Sequence, residues 1–217
     1  MKIYLWLAIV LLSGVATAAA TYHFTPSENL PEAESTYSAY KIGDAVANFN
    51  LKNVNGNMVS LNDYSGSKGI IVIFTSHHCP FAKAYEDRIL ALNNKYIGQG
   101  FPVITINPSD PSTHTDDSFD KMKERASSKG YNYPYLVDDG QRTARAFGAA
   151  RTPEAYVLLK SGAKFIVQYI GMIDDNPQDP AGATKFYVDE AVTNLLAGKP
   201  VTTTTTKPIG CVIKFKD

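Results

Sequence analysis

Hydrophobic positions follow three rhythms along this chain. Ile70, Ile71, Val72, Ile73 and Phe74 form an unbroken apolar run, and Phe101 to Ile106 form a second. Runs of this length predict strands buried on both faces. Between them Phe81, Tyr85, Ile89, Leu92 and Tyr96 recur at offsets 0, 4, 8, 11 and 15. That stripe predicts a core-facing amphipathic helix, with Lys83, Glu86, Asp87 and Lys95 on or near its other side and Gly98 and Gly100 to stop it. Upstream, Phe49, Leu51 and Val54 precede Asn55-Gly56, and Met58, Val59 and Leu61 follow. This predicts a hairpin whose two turn positions favour positive φ. Downstream come a helix over 116–127, an extended piece over 135–137 and a short helix over 141–147. A strand over 154–159 turns at Ser161-Gly162 into a return strand over 164–170. A last helix over 184–197, a threonine-rich connector and a terminal edge strand over 210–215 complete the chain.

Two buried strands joined through a helix make a right-handed parallel unit, and the later hairpin adds antiparallel strands. The expected fold class is α/β: a mixed central sheet with helices on both faces and an added N-terminal β-hairpin. The chain has 217 residues, 44% of them hydrophobic, enough for one core of ordinary size. Lys plus Arg equal Asp plus Glu at 21 each, so charge argues for neither nucleic acid nor an anionic membrane. Residues 1–20 read as a secretory signal peptide: Lys2, a short apolar core over Ile3 to Leu12, then small residues to Ala20. Residues 21–40 read as a polar leader in which His23 is solvated, and 41–217 as the domain. The protein is expected to be secreted or periplasmic, with no membrane association after cleavage. Its mature chain would carry 20 basic and 21 acidic residues.

The chemistry lies between the first buried strand and its helix, at Thr75-Ser76-His77-His78-Cys79-Pro80. With the helix starting near Ser76 or His77, Cys79 falls in the first turn, where peptide N–H groups and the dipole favour a thiolate. Ser76 is then the expected N-cap. A cysteine here also reads as a buried apolar filler or half of a structural disulfide, and spacing leaves these readings open. Adjacent His77 and His78 diverge by about 100° on a helix, so one is expected to tune or cover the sulfur and the other to be solvated, like His114 in its loop. No zinc-ligand spacing is present, and no nucleotide, flavin, haem or other cofactor is indicated. Two cysteines remain in an exported chain, and an oxidising compartment permits a Cys79–Cys211 disulfide. By the chain-entropy model, closing that loop is worth roughly 5 kcal/mol before strain.

The segments 41–44, 74–88, 106–110, 133–139, 144–154 and 207–215 together resemble the thioredoxin-like superfamily, and more narrowly the exported redoxins of the alkyl hydroperoxide reductase/thiol-specific antioxidant type. The resemblance implies a thioredoxin-like fold with the site at the N-terminus of the first long helix. It implies that Pro153, after Thr152, is a cis-proline facing that site, although Thr-Pro read alone fits a trans bond. It also places Arg151 near the sulfur. Relatives often carry Cys-x-x-Cys at this turn; here Ser76 stands first, and a hydroxyl cannot exchange with a disulfide. What remains, Ser-x-x-Cys, is similar to the core of the peroxiredoxin motif, although Val72 replaces that motif's upstream proline.

Three functions follow. The first is a thiol-dependent oxidoreductase in which Cys79 is oxidised and Cys211 resolves it, with protein thiols, disulfides or peroxide as substrate and an electron donor the sequence does not name. The second is a non-catalytic module holding an extended peptide at the Pro153 loop. The third is copper handling through Cys79 and a histidine. The first is the reading adopted, with Ser76 assisting Cys79 and with Arg151, Thr152, Pro153, His77 and His78 framing the substrate.

Overall fold

The computed structural model describes residues 38–216. The expected signal segment, the leader up to residue 37 and Asp217 lie outside the described residues. The strands are β1 (Ala45–Val46), β2 (Asn50–Asn53), β3 (Met58–Ser60), β4 (Gly69–Phe74), β5 (Val103–Asn107), β6 (Tyr135–Val137), β7 (Arg151–Thr152), β8 (Glu154–Ser161), β9 (Lys164–Gly171) and β10 (Cys211–Val212). The helices are α1 (Pro80–Tyr96), α2 (Phe119–Lys129), α3 (Arg142–Phe147) and α4 (Tyr187–Leu196). Eight strands form one mixed sheet in the order β1-β9-β8-β4-β5-β6-β2-β3, while β10 and β7 pair separately. β4 runs parallel to β5 and antiparallel to β8. The hairpin β2–β3 joins one edge through β6.

β4 is apolar throughout because both its faces are covered. Ile70, Val72 and Phe74 point to one side, with Ile104, Ile106, Leu136, Tyr156 and the α3 residue Phe147. Ile71 and Ile73 point to the other, against Tyr85, Ile89 and Tyr96 of α1 and Val188 and Val192 of α4. This is the two-residue alternation of a strand, and each such buried side chain contributes about 1.5–3 kcal/mol. Phe147 meets Tyr40, Phe74 and Tyr156 edge-on. Tyr40 also donates its N–H to the Ala146 carbonyl, so the packed chain includes the residue assigned to the end of the leader. Among the described residues no helix is long and apolar enough to cross a membrane.

Four local expectations are corrected. Glu86 is buried rather than on an open polar side, because the Arg125 guanidinium donates to both its oxygens. α2 starts at Phe119, later than expected, since Thr115–Asp117 forms a separate 3-10 turn. Only Gly56 of the hairpin turn has positive φ. The terminal strand spans Cys211–Val212 alone, since it pairs with a two-residue partner.

Candidate active site

The chain leaves β4 with Thr75 still tied to the Ile106 carbonyl at 2.8 Å. Pro80 occupies the first helical position, where a missing N–H costs nothing, and it biases the preceding residue away from helical backbone. Cys79 is therefore the N-cap, at φ −77° and ψ 121°. This corrects the helix start near Ser76 and the capping role expected for Ser76. The Cys79 sulfur still sits at the N-terminus of a 17-residue helix, in the field that favours a thiolate. Its side chain is 0% exposed.

Facing this turn, Thr152 and Pro153 are joined by a cis peptide bond. The Thr152 carbonyl oxygen lies 3.2 Å from Cys79 Sγ, and Thr152 Oγ1 lies 2.8 Å from Ser76 Oγ. Ser76 thus fastens the turn to the facing loop. Glu154, buried behind that loop, accepts from the Ala150 and Arg151 N–H groups and the Tyr156 hydroxyl at 2.8, 3.2 and 3.3 Å. Burial raises its carboxyl above the ordinary carboxylate value, against the pull of those donors.

β10 lies antiparallel on β7, with Cys211 opposite Thr152. Cys79 and Cys211 form a disulfide, their Cα atoms 5.9 Å apart, within the range a bridge requires. Cys211 is half-buried. Arg151 donates from Nη1 to the Gly210 carbonyl at 2.7 Å, so its guanidinium serves the segment that carries Cys211. Gln141 donates to the Lys214 carbonyl at 2.8 Å and accepts from the Lys216 N–H at 2.7 Å.

The histidines depart from expectation, because they lie on an extended turn and not on a helix. The His77 ring bonds the Asp116 carbonyl at 2.9 Å, and the His77 main-chain N–H donates to Asp117. His78 Nδ1 pairs with the other Asp117 oxygen. The Asp117 side chain is fully buried and takes a third donor, Asn107 Nδ2, at 2.9 Å. His114, expected in solvent, stacks on His78 with ring centroids 3.7 Å apart. Asp117, Asn107 and Gln141 are not among the expected site residues; Asp117 falls within the helix expected over 116–127 and sits instead in the 3-10 turn Thr115–Asp117. Among the described residues no group of three or more His, Cys, Asp or Glu side chains is gathered to hold a metal ion.

Burial, and then the His78 charge, lower the pKa of His114 below its ordinary 6.5. The unfolded chain therefore takes up this proton first. The stability that His114 contributes is present above the unfolded value and is lost as pH falls through the folded one. Urea unfolding at about pH 7.5 and about pH 5.5 is expected to show less stability at the lower pH, with a smaller loss in His114→Asn. An equal loss in both proteins refutes the role of His114.

The family model described as AhpC/TSA family matches residues 42–175. A chloroplastic peroxiredoxin Q from Triticum aestivum is 26% identical over 190 residues, covering 79% of this chain and 78% of that protein. An uncharacterized conserved protein from Geobacillus kaustophilus is 34% identical with a TM-score of 0.75, covering 81% of this chain and 93% of that one. A thiol:disulfide interchange protein of the thioredoxin family from Chlorobium tepidum, at 18% identity and a TM-score of 0.51 over 65% of this chain and 93% of that one, shares the fold.

Proposed function

Since the chain belongs to the AhpC/TSA family of thioredoxin-like redoxins, we propose that it is an exported thiol-dependent oxidoreductase that cycles between a Cys79/Cys211 dithiol and the disulfide. The Cys79 thiolate attacks an oxygen of a hydroperoxide. The O–O bond breaks, the alcohol or water leaves with a proton, and Cys79 becomes a sulfenic acid. The Cys211 thiolate then attacks that sulfur, water departs, and the disulfide closes. An external thiol donor returns two electrons by exchange. Ser76 and Thr152 hold the turn against the loop and offer hydroxyls to the peroxide, while Arg151, Pro153, His77 and His78 frame the site.

The observation that carries this reading is the Cys79–Cys211 disulfide, with its buried sulfur at a helix N-terminus and its partner on a strand beside the cis-proline. The reading as a peptide-holding module is not favoured, because the β7 edge it needs is taken by β10. Hydrogen peroxide added to the reduced protein is expected to yield the disulfide by mass spectrometry. Cys211→Ser is expected to stop at a Cys79 sulfenic acid that a dione reagent traps, with turnover down about a hundredfold for want of an internal partner. A Cys79 that stays a free thiol under excess peroxide ends the proposal.

A further inference from the structure

The segment from Gly210 to Lys216 does more than deliver Cys211. It occupies the side of β7 that leads to the Thr152–Pro153 peptide. Cys211 pairs with Thr152 and Val212 with Arg151, and the Ile213 N–H donates to the Ala150 carbonyl. Extended chains bind by adding themselves to such an edge. Cys79 is wholly buried with the Thr152 carbonyl against its sulfur, so a disulfide carried on an extended chain has to approach along this edge.

The strap is held by contacts that do not involve the disulfide. Arg151 bonds the Gly210 carbonyl, and the Gln141 amide bonds Lys214 and Lys216. The Arg145 guanidinium bonds the Lys216 carbonyl and lies 4.6 Å over the Phe215 ring. Ile213 belongs to the core. Gly210 passes so close that a Cβ there would run into the Thr152 carbonyl. Reduction therefore leaves the strap docked. Beside it remains a narrow slot lined by His78, Ser109, Thr113, His114, Thr152 and Ile213, with room for about one water-sized molecule.

We propose that this strap sets the substrate range of Cys79: by holding the β7 edge in cis it excludes disulfides carried on extended protein chains and leaves the sulfur to small oxidants. The proposal rests on the reading of Cys79 as the reacting thiol. In the excluded reaction the Cys79 thiolate would attack one sulfur of the foreign disulfide, bonding to it and releasing the other as a thiolate. A tethered occupant competes with that approach at an effective concentration in the millimolar range.

The test uses Cys211→Ser, in which Cys79 is the remaining thiol and the strap's main-chain pairing is kept. It is compared with the same protein carrying Gln141→Gly, which suits the backbone φ of 54° at that position and removes the amide. A second comparison carries Gly210→Ala, which pushes the strap off Thr152. Faster tryptic cleavage at Lys214 reads the loosening independently. One probe is a short cysteine peptide bearing nitrothiobenzoate as a mixed disulfide, and the other is hydrogen peroxide. Loosening the strap is expected to speed the peptide reaction by about a hundredfold while changing the peroxide reaction by less than about threefold. A peptide that reacts equally fast with the strap anchored or loosened overturns the proposal. Peroxide that leaves Cys79 unoxidised in all three proteins sinks the proposed function, and the peptide arm still decides the gate.

Discussion

Cys79→Ser is expected to lower peroxide-dependent thiol oxidation by about a thousandfold or more, since the hydroxyl ionises far above the thiol and is a poor nucleophile. Ser76 offers no substitute, for the same reason. Cys211 retains a thiol but sits half-buried on a two-residue strand, without the helix N-terminus that lowers a thiol's pKa. The variant should fold, because the new hydroxyl can donate to the Thr152 carbonyl that lies 3.2 Å from the native sulfur. It loses the disulfide, a contribution of up to roughly 5 kcal/mol by the chain-entropy model. Its melting temperature should therefore resemble that of reduced wild type, and Cys211→Ser should match it. Steady-state turnover with a thiol donor and hydrogen peroxide, beside circular dichroism, checks both parts. Activity kept within about tenfold of wild type would identify Cys211 as the reacting thiol instead.

The parts of the fold legible in the sequence are those whose signal is local. β4, α1 and β5 announce themselves by an apolar run, a helical stripe and a second run, and the return hairpin β8–β9 by a turn between two strand-like segments. The position of Cys79 was local too, but its role was shifted by Pro80: a proline after a candidate cap is stronger evidence for the helix start than a serine four residues earlier. The strap was legible as a strand, but its destination was not, because periodicity carries no information about pairing partners 59 residues away (Cys211 on Thr152). The Asp117 hub was hidden for a related reason. A carboxylate at the start of an expected helix reads as a solvated surface charge until tertiary structure brings three donors to it.

That hub carries the second large effect. Asp117 receives the His77 N–H, His78 Nδ1 and Asn107 Nδ2, and its own side chain has no exposure. Asp117→Ala leaves those donors without an acceptor in a space too enclosed for easy hydration, and a buried donor left unpaired costs about 1–3 kcal/mol. Some of this is relieved by His78, whose side chain is 21% exposed and can turn outward. The expected loss is therefore about 3 kcal/mol, or about 6–12 °C in melting temperature for a chain of this size. Asp117→Asn keeps the shape and one acceptor oxygen, and should lose about half as much. The loss should extend to the site. With the His77 main-chain N–H and the His78 ring released from Asp117, the turn from Ser76 to Cys79 keeps Ser76 on Thr152, the His77 ring on the Asp116 carbonyl and the stacking of His78 on His114, and alkylation of Cys79 in the reduced protein should quicken as the turn loosens. Thermal unfolding and timed alkylation of Asp117→Ala measure the two effects together. A variant as stable as wild type, with Cys79 no easier to alkylate, would show that the turn is held by β4 and α1 alone.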